Sequence, residues 1–132
     1  MLKISVEQLL NLRKAGKLNR EQQTKPLSVL YSPPRAGGNG FIWLVTHIEQ
    51  DGHTAFGLAD LKAGFPELGY FDLNEIDAVS LPVYAFKLEG EVEDLQEYAD
   101  IASKKRSLEI DDVPVADKIK LHPLISTPKG LH

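Results

Sequence analysis

Apolar positions along the chain recur at helical or alternating spacing and are separated by polar or Gly/Pro-rich breaks. VEQLLNLRKAG, from residue 6, has the helical spacing. Ser5 and Gln8 stand as the two halves of a capping box and Ile4 and Leu9 as the matching staple, so a helix is predicted to open at Val6. Its stripe reads Val6, Leu9 and Leu10, and the same face continues as Arg13, Lys17 and Arg20. Gly16 is the expected stop. LSVLY (residues 27–31) has strand propensity, and SPPRAGGNG after it reads as a loop. FIWLVTHI (residues 41–48) alternates Phe41, Trp43, Val45 and His47 against Ile42, Leu44, Thr46 and Ile48, and two apolar faces predict a central strand. Asp51-Gly52 is a hairpin signal, so HTAFGLAD (residues 53–60) is expected to return antiparallel with Phe56 and Leu58 inward and Gly57 making room between them.

The next segment is the densest in punctuation. Gly64, Pro66 and Gly69 predict a tight loop in LKAGFPELGY, with a brief extension at YFDL. Asp72 and Glu75 form a second capping box, and Phe71 and Ile76 a second staple, which predicts a short helix. LPVYAFKL (residues 81–88) reads as a further strand. EVEDLQEYADIASKKR (residues 91–106) reads as a helix with Val92, Leu95, Ala99 and Ala102 on one stripe. Acids crowd its start and Lys104, Lys105 and Arg106 its end, as the helix dipole favours. The predicted architecture is α+β: a small antiparallel sheet of about four strands packed by an N-terminal and a C-terminal helix, forming one domain over residues 1–106. Three prolines and scattered apolar residues predict an extended or partly disordered tail over residues 107–132.

The phrase AFGLADLKAGFPELGYFDLNEI, residues 55–76, carries a family likeness. Trp43, the turn at Asp51-Gly52, AFGLADL, PELGY and LNEI follow the order and spacing of a motif like AFGLCDLGLGxPELGYVSLxEL. On these residues the chain resembles a family of uncharacterised bacterial proteins, a domain of unknown function common on plasmids and integrative conjugative elements. The resemblance covers roughly residues 1–80, and the segment from VYAFKL onward departs from the pattern. It implies no reaction. What it implies is an accessory or host-interaction role on a mobile element.

Composition narrows the classes. At 132 residues the chain holds one domain, and without cysteine it has no disulfides, thiolate metal sites or cysteine nucleophile. FIWLV is its longest apolar run, so no membrane span is expected. The N-terminus makes a poor secretion signal, and the cytoplasm is the expected location. The net charge of −4 conceals a split. Residues 1–35 carry seven Lys/Arg against two acids, residues 36–100 two against thirteen, and residues 101–132 six against four. An acidic body argues against a general nucleic-acid binder, while the basic ends leave room for a polyanion contact through Arg13, Lys17 and Arg20 with residues 104–106.

Several side chains could carry chemistry. Asp60 and Glu67 flank the Gly/Pro loop, and paired carboxylates serve acid–base or metal reactions; the plainer reading has Asp60 capping a turn. His47 and His53, at similar distances from the hairpin turn, are expected near one another and make the metal candidates, although surface histidines are the commoner outcome. His122 and His132 receive no role. No GxSxG and no P-loop lysine occur, and no pattern calls for a cofactor. Trp43, Tyr70, Phe71 and Phe41 lack interleaved cations and fit packing better than base stacking. The leading expectation is a non-enzymatic binding or accessory protein that engages a protein partner through an acidic face and residues 61–70, with Phe65, Glu67, Tyr70 and Asp72 as the binding surface. A small metal-dependent hydrolase built on Asp60 and Glu67 is the alternative, and nucleic-acid contact through the basic ends is a further one.

Overall fold

The computed structural model describes residues 1–35, 40–116, 120–121 and 124. Six strands form one mixed sheet in the order β1-β6-β2-β3-β4-β5. They are β1 (Leu2–Lys3), β2 (Ser28–Ser32), β3 (Phe41–Ile48), β4 (Thr54–Asp60), β5 (Glu67–Asp72) and β6 (Val83–Lys87). All neighbours pair antiparallel except β1 with β6. Helices α1 (Val6–Ala15) and α2 (Leu73–Ala78) serve one face and α3 (Leu95–Lys105) the other.

The α+β class and the β3–β4 hairpin agree with the sequence reading, and the count of about four strands does not. The two additional strands are those with the least side-chain signal. β1 is only two residues long. In β5, Gly69 pairs with Gly57, so the centre of that ladder is backbone against backbone, and no alternation of side chains betrays it.

Each face has its own core. On the α1/α2 face Leu12, Leu30, Trp43, Val45, Ile48, Ala55, Leu73, Ile76 and Val83 pack together; on the α3 face Val29, Ile42, Leu44, Leu58, Leu95, Tyr98 and Ala102 do. Residues 107–116, read from the sequence as the start of a tail, belong to the second core. Leu108, Ile110, Val113 and Val115 are buried there, and Val115 bridges to Leu88. Scattered apolar residues without period are what a segment looks like when it closes a core irregularly. The rest of the predicted tail, apart from Lys120, Leu121 and Leu124, lies outside the described residues, as do His122 and His132.

Helix α1 opens as expected, with the Ser5 hydroxyl accepting the Gln8 N–H at 3.1 Å. The reciprocal half of the box is not made, because the Gln8 side chain instead donates to the Ala85 carbonyl and accepts from Ser28. The helix stops before Gly16, but its inward face is Leu9, Leu12 and Ala15, while Val6 and Leu10 face solvent. Close docking sets this rotation: a Cβ on Gly16 would stand 1.9 Å from the Ile48 carbonyl oxygen. In β3 the register shifts between Val45 and His47. The extra residue inverts parity, sending Ile48 to the core of Trp43 and Val45 and His47 to the face of Phe56. Gly57 lies against this irregularity, where a Cβ would meet the Leu44 carbonyl oxygen at 1.6 Å.

This contact generates a test. Gly57→Ala should destabilise the protein by about 2–3 kcal/mol in urea unfolding, through overpacking against backbone that cannot yield. Gly69→Ala, whose Cβ would meet nothing within 4 Å, should stay within about 0.5 kcal/mol of the parent. Equal midpoints for the two variants would contradict the packing described.

Candidate functional site

Asp60 ends β4 on the α3 face and is 1 % exposed. Its Oδ1 accepts the Lys62 backbone N–H at 2.9 Å. Its Oδ2 accepts the Lys62 ammonium at 2.9 Å and the Leu108 N–H at 2.8 Å. The Lys62 Nζ also donates to Ser107 Oγ at 2.6 Å, the Leu108 carbonyl at 3.0 Å and Glu109 Oε1 at 3.2 Å. To curl back this way Lys62 adopts a left-handed backbone with φ 57°, a conformation costing an L-residue about 1–2 kcal/mol. Burial pushes the Asp60 carboxyl up, but the Leu108 and Lys62 donors outweigh it and hold the group below its ordinary range. Burial likewise pulls the Lys62 ammonium down, and the Asp60 and Glu109 carboxylates overcome it, leaving the group raised.

The Asp60–Glu67 pair is not brought together. Glu67 pairs with Ala59, one position before Asp60, so the two carboxylates point to opposite faces of the sheet. Glu67 is exposed, and Asp60 is buried with both of its oxygens accepting hydrogen bonds. The chemistry of this cluster is a knot joining β4, the 61–65 loop and the 107–109 segment. Sequence reasoning missed Lys62, Ser107 and Glu109. One signal was available: Lys62 and Lys87 are the only cations among residues 36–100, and Lys62 stands two positions from Asp60.

The histidines are separated as well. His47 pairs with Phe56 and is buried, sharing hydrogen bonds with Thr46 at 2.8 Å and Glu49 at 3.4 Å. His53 lies in the turn, 3.2 Å from Asp72 and 3.5 Å from Asp51. The turn itself accounts for this: a hairpin centred on Asp51-Gly52 sets His47 opposite Phe56, whereas His53 directly follows Gly52. Among the described residues no group of three His, Asp or Glu could hold a metal ion. The Asp51 carboxyl is pulled down to about 2 by the Thr54 hydroxyl and by the Thr54 and His53 N–H groups, which fastens the turn.

Of the basic residues, Arg13 and Lys17 line one groove on α1, while Arg20 lines a niche of about 130 Å³ with Gln23, His47, Phe56 and Tyr70. The proposed surface residues lie on the 61–65 loop and along β5, with Glu67 and Asp72 at its two ends. Phe65 is 62 % exposed with the Arg106 guanidinium 5.5 Å from its ring centre. Tyr70 is exposed and meets Phe56 edge-on at 4.9 Å. Asp72 caps α2 by accepting the Asn74 N–H at 2.8 Å. A cleft of about 350 Å³ adjoins the knot, lined in part by Tyr31, Phe41, Lys62, Arg106 and Glu109.

A family model described as a protein of unknown function, DUF2958, matches residues 2–109. The chain belongs to this family. The DUF2958 match extends past the roughly 80 residues carried by the sequence motif, through α3 to the Glu109 that receives Lys62, so the family spans the whole knot. No curated protein and no solved structure matches the chain. Among the described residues no helix is long and apolar enough to cross a membrane.

The knot predicts a pH dependence. Asp60 is held low in the folded state, so its contribution is complete above about pH 4 and is lost as pH falls through the folded value. Lys62 is held high, so its contribution is complete below about pH 10 and is lost as pH rises through its folded value. Asp60→Ala, which strands the Leu108 N–H and takes from the Lys62 ammonium its buried counter-charge, should lower stability at neutral pH by about 3 kcal/mol. The variant should also lose less further stability on acidification than the parent does. Parallel acid-unfolding curves for the two proteins would contradict this role.

Proposed function

We propose that this DUF2958 chain is a non-enzymatic binding module that engages a protein partner through residues 61–70 and the acids beside them. One observation carries the reading. Leu61, Phe65, Leu68 and Tyr70 are 48 %, 62 %, 43 % and 55 % exposed, all within ten residues that also include the exposed Glu67. Large side chains collected this way on one edge are the anchors that partner surfaces favour, whereas scattered exposed apolar residues are ordinary. The knot supports the reading further, because a loop tied at Asp60, Lys62 and Leu108 presents its anchors with little conformational entropy left to lose. A buried, hydrogen-bonded Asp60 and a Glu67 on the opposite face give acid–base chemistry no comparable footing. The bacterial, mobile-element setting implied by the sequence motif, and a cytoplasmic location, belong to the same proposal as its context.

A photo-crosslinking side chain placed at Phe65 or Tyr70 in the native host should yield a discrete protein adduct. The same group at Val79, which is also apolar and exposed at 43 % but lies after α2, should not. Adducts of equal yield at all three positions, or none at any, would contradict the assignment.

A further inference from the structure

The two edges of the sheet differ. β1, at one end, is two residues long, and so short an edge offers almost no ladder to a foreign strand. β5, at the other end, runs for six residues and pairs with β4 through an unbroken register from Asp72 to Glu67. It contains no lysine, no proline and no bulge, the devices by which natural edges are protected. Among the described residues β4 is its only neighbour. Leu68 and Tyr70 project to the α3 face and Glu67 to the opposite one, following their partners Leu58, Phe56 and Ala59.

Charge selects what fits there. β5 carries a carboxylate at each end, Glu67 and Asp72, and no cation. Glu67 makes no hydrogen bond or ion pair among the described residues. Of the nearby cations, Lys62 is committed to Asp60 and Glu109, Arg106 stands over Phe65, and Arg20 shares the niche beside Tyr70. A second copy of the chain meets this edge poorly, since pairing two β5 strands about Gly69 brings two carboxylates from each to one short ladder whose centre is glycine against glycine.

Resting on the reading above, we propose that the partner binds by strand addition: an extended segment of another protein pairs along β5 as a seventh strand, with apolar residues opposite Leu68 and Tyr70 and Lys or Arg opposite Glu67 and Asp72. Main-chain hydrogen bonds supply the attachment, and the alternate side chains supply the choice of segment.

The test is an NMR titration of the full chain with the capped peptide Lys-Thr-Val-Thr-Val-Lys, whose antiparallel register sets the lysines opposite Asp72 and Glu67 and the valines opposite Tyr70 and Leu68. Amide shifts are expected in β5 and its β4 partners, with affinity about tenfold above that of Glu-Thr-Val-Thr-Val-Glu. Glu67→Lys should narrow or reverse that preference. N-methylation at the two valines or at the two threonines should abolish binding in one case and spare it in the other, because alternate N–H groups face the sheet. No shifts at millimolar peptide, equal affinity for the two peptides, or equal effects of the two methylation patterns would overturn strand addition, as would self-association of the chain through β5. If crosslinks at Phe65 and Tyr70 form while the peptides fail, the binding surface stands and the mode falls.

Discussion

The Asp60 carboxylate is the joint through which three otherwise independent pieces of the chain acquire fixed positions. It ends a strand, receives both the main-chain and side-chain nitrogens of Lys62, and accepts the N–H of Leu108, which is 48 positions away in sequence. A buried carboxylate is costly unless it is paired and hydrogen-bonded, and here three donors, one of them charged, meet that need. The consequence is mechanical. The 61–65 loop cannot swing free of the 107–109 segment without stranding a charge, so the apolar side chains it carries are held as a surface instead of collapsing into the core or drifting in solvent.

The same joint leaves Asp60 buried and hydrogen-bonded to Lys62 and Leu108. Acid–base work needs a carboxylate with an oxygen open to substrate, and the pH range over which Asp60 and Lys62 are both charged is the range over which they are occupied with each other. A conspicuous acid next to a Gly/Pro loop can thus serve to hold that loop in place. The acidic body and basic ends are also separate in space, with Glu67 and Asp72 at the ends of β5 while Arg13 and Lys17 line a groove beside α1.

What the sequence disclosed followed the strength of side-chain patterning. Ser5 and Asp72 marked their helices because a cap is a local device, and FIWLVTHI marked a central strand because both its faces are apolar. β5 escaped notice because Gly69 faces Gly57, and a pair of glycines leaves no alternation to read. The parity of His47 failed for another reason. A bulge adds one residue without any residue type that announces it, and every position beyond it changes face. Phe65, Glu67 and Tyr70, which sit close together in sequence, are all exposed. Lys62, Ser107 and Glu109 form a site only through contacts between distant segments, and of these the isolated cation beside Asp60 was the sole trace.

The central claim is that Asp60 ties the 107–109 segment into the cooperative fold. Native-state hydrogen exchange at the Leu108 amide reads this directly, since that N–H is donated to the Asp60 carboxylate. The account predicts exchange only through global unfolding, with a protection energy matching that of the β3 and β4 core amides. Exchange of Leu108 at the rate of an unprotected loop, while β3 and β4 remain protected, would contradict it.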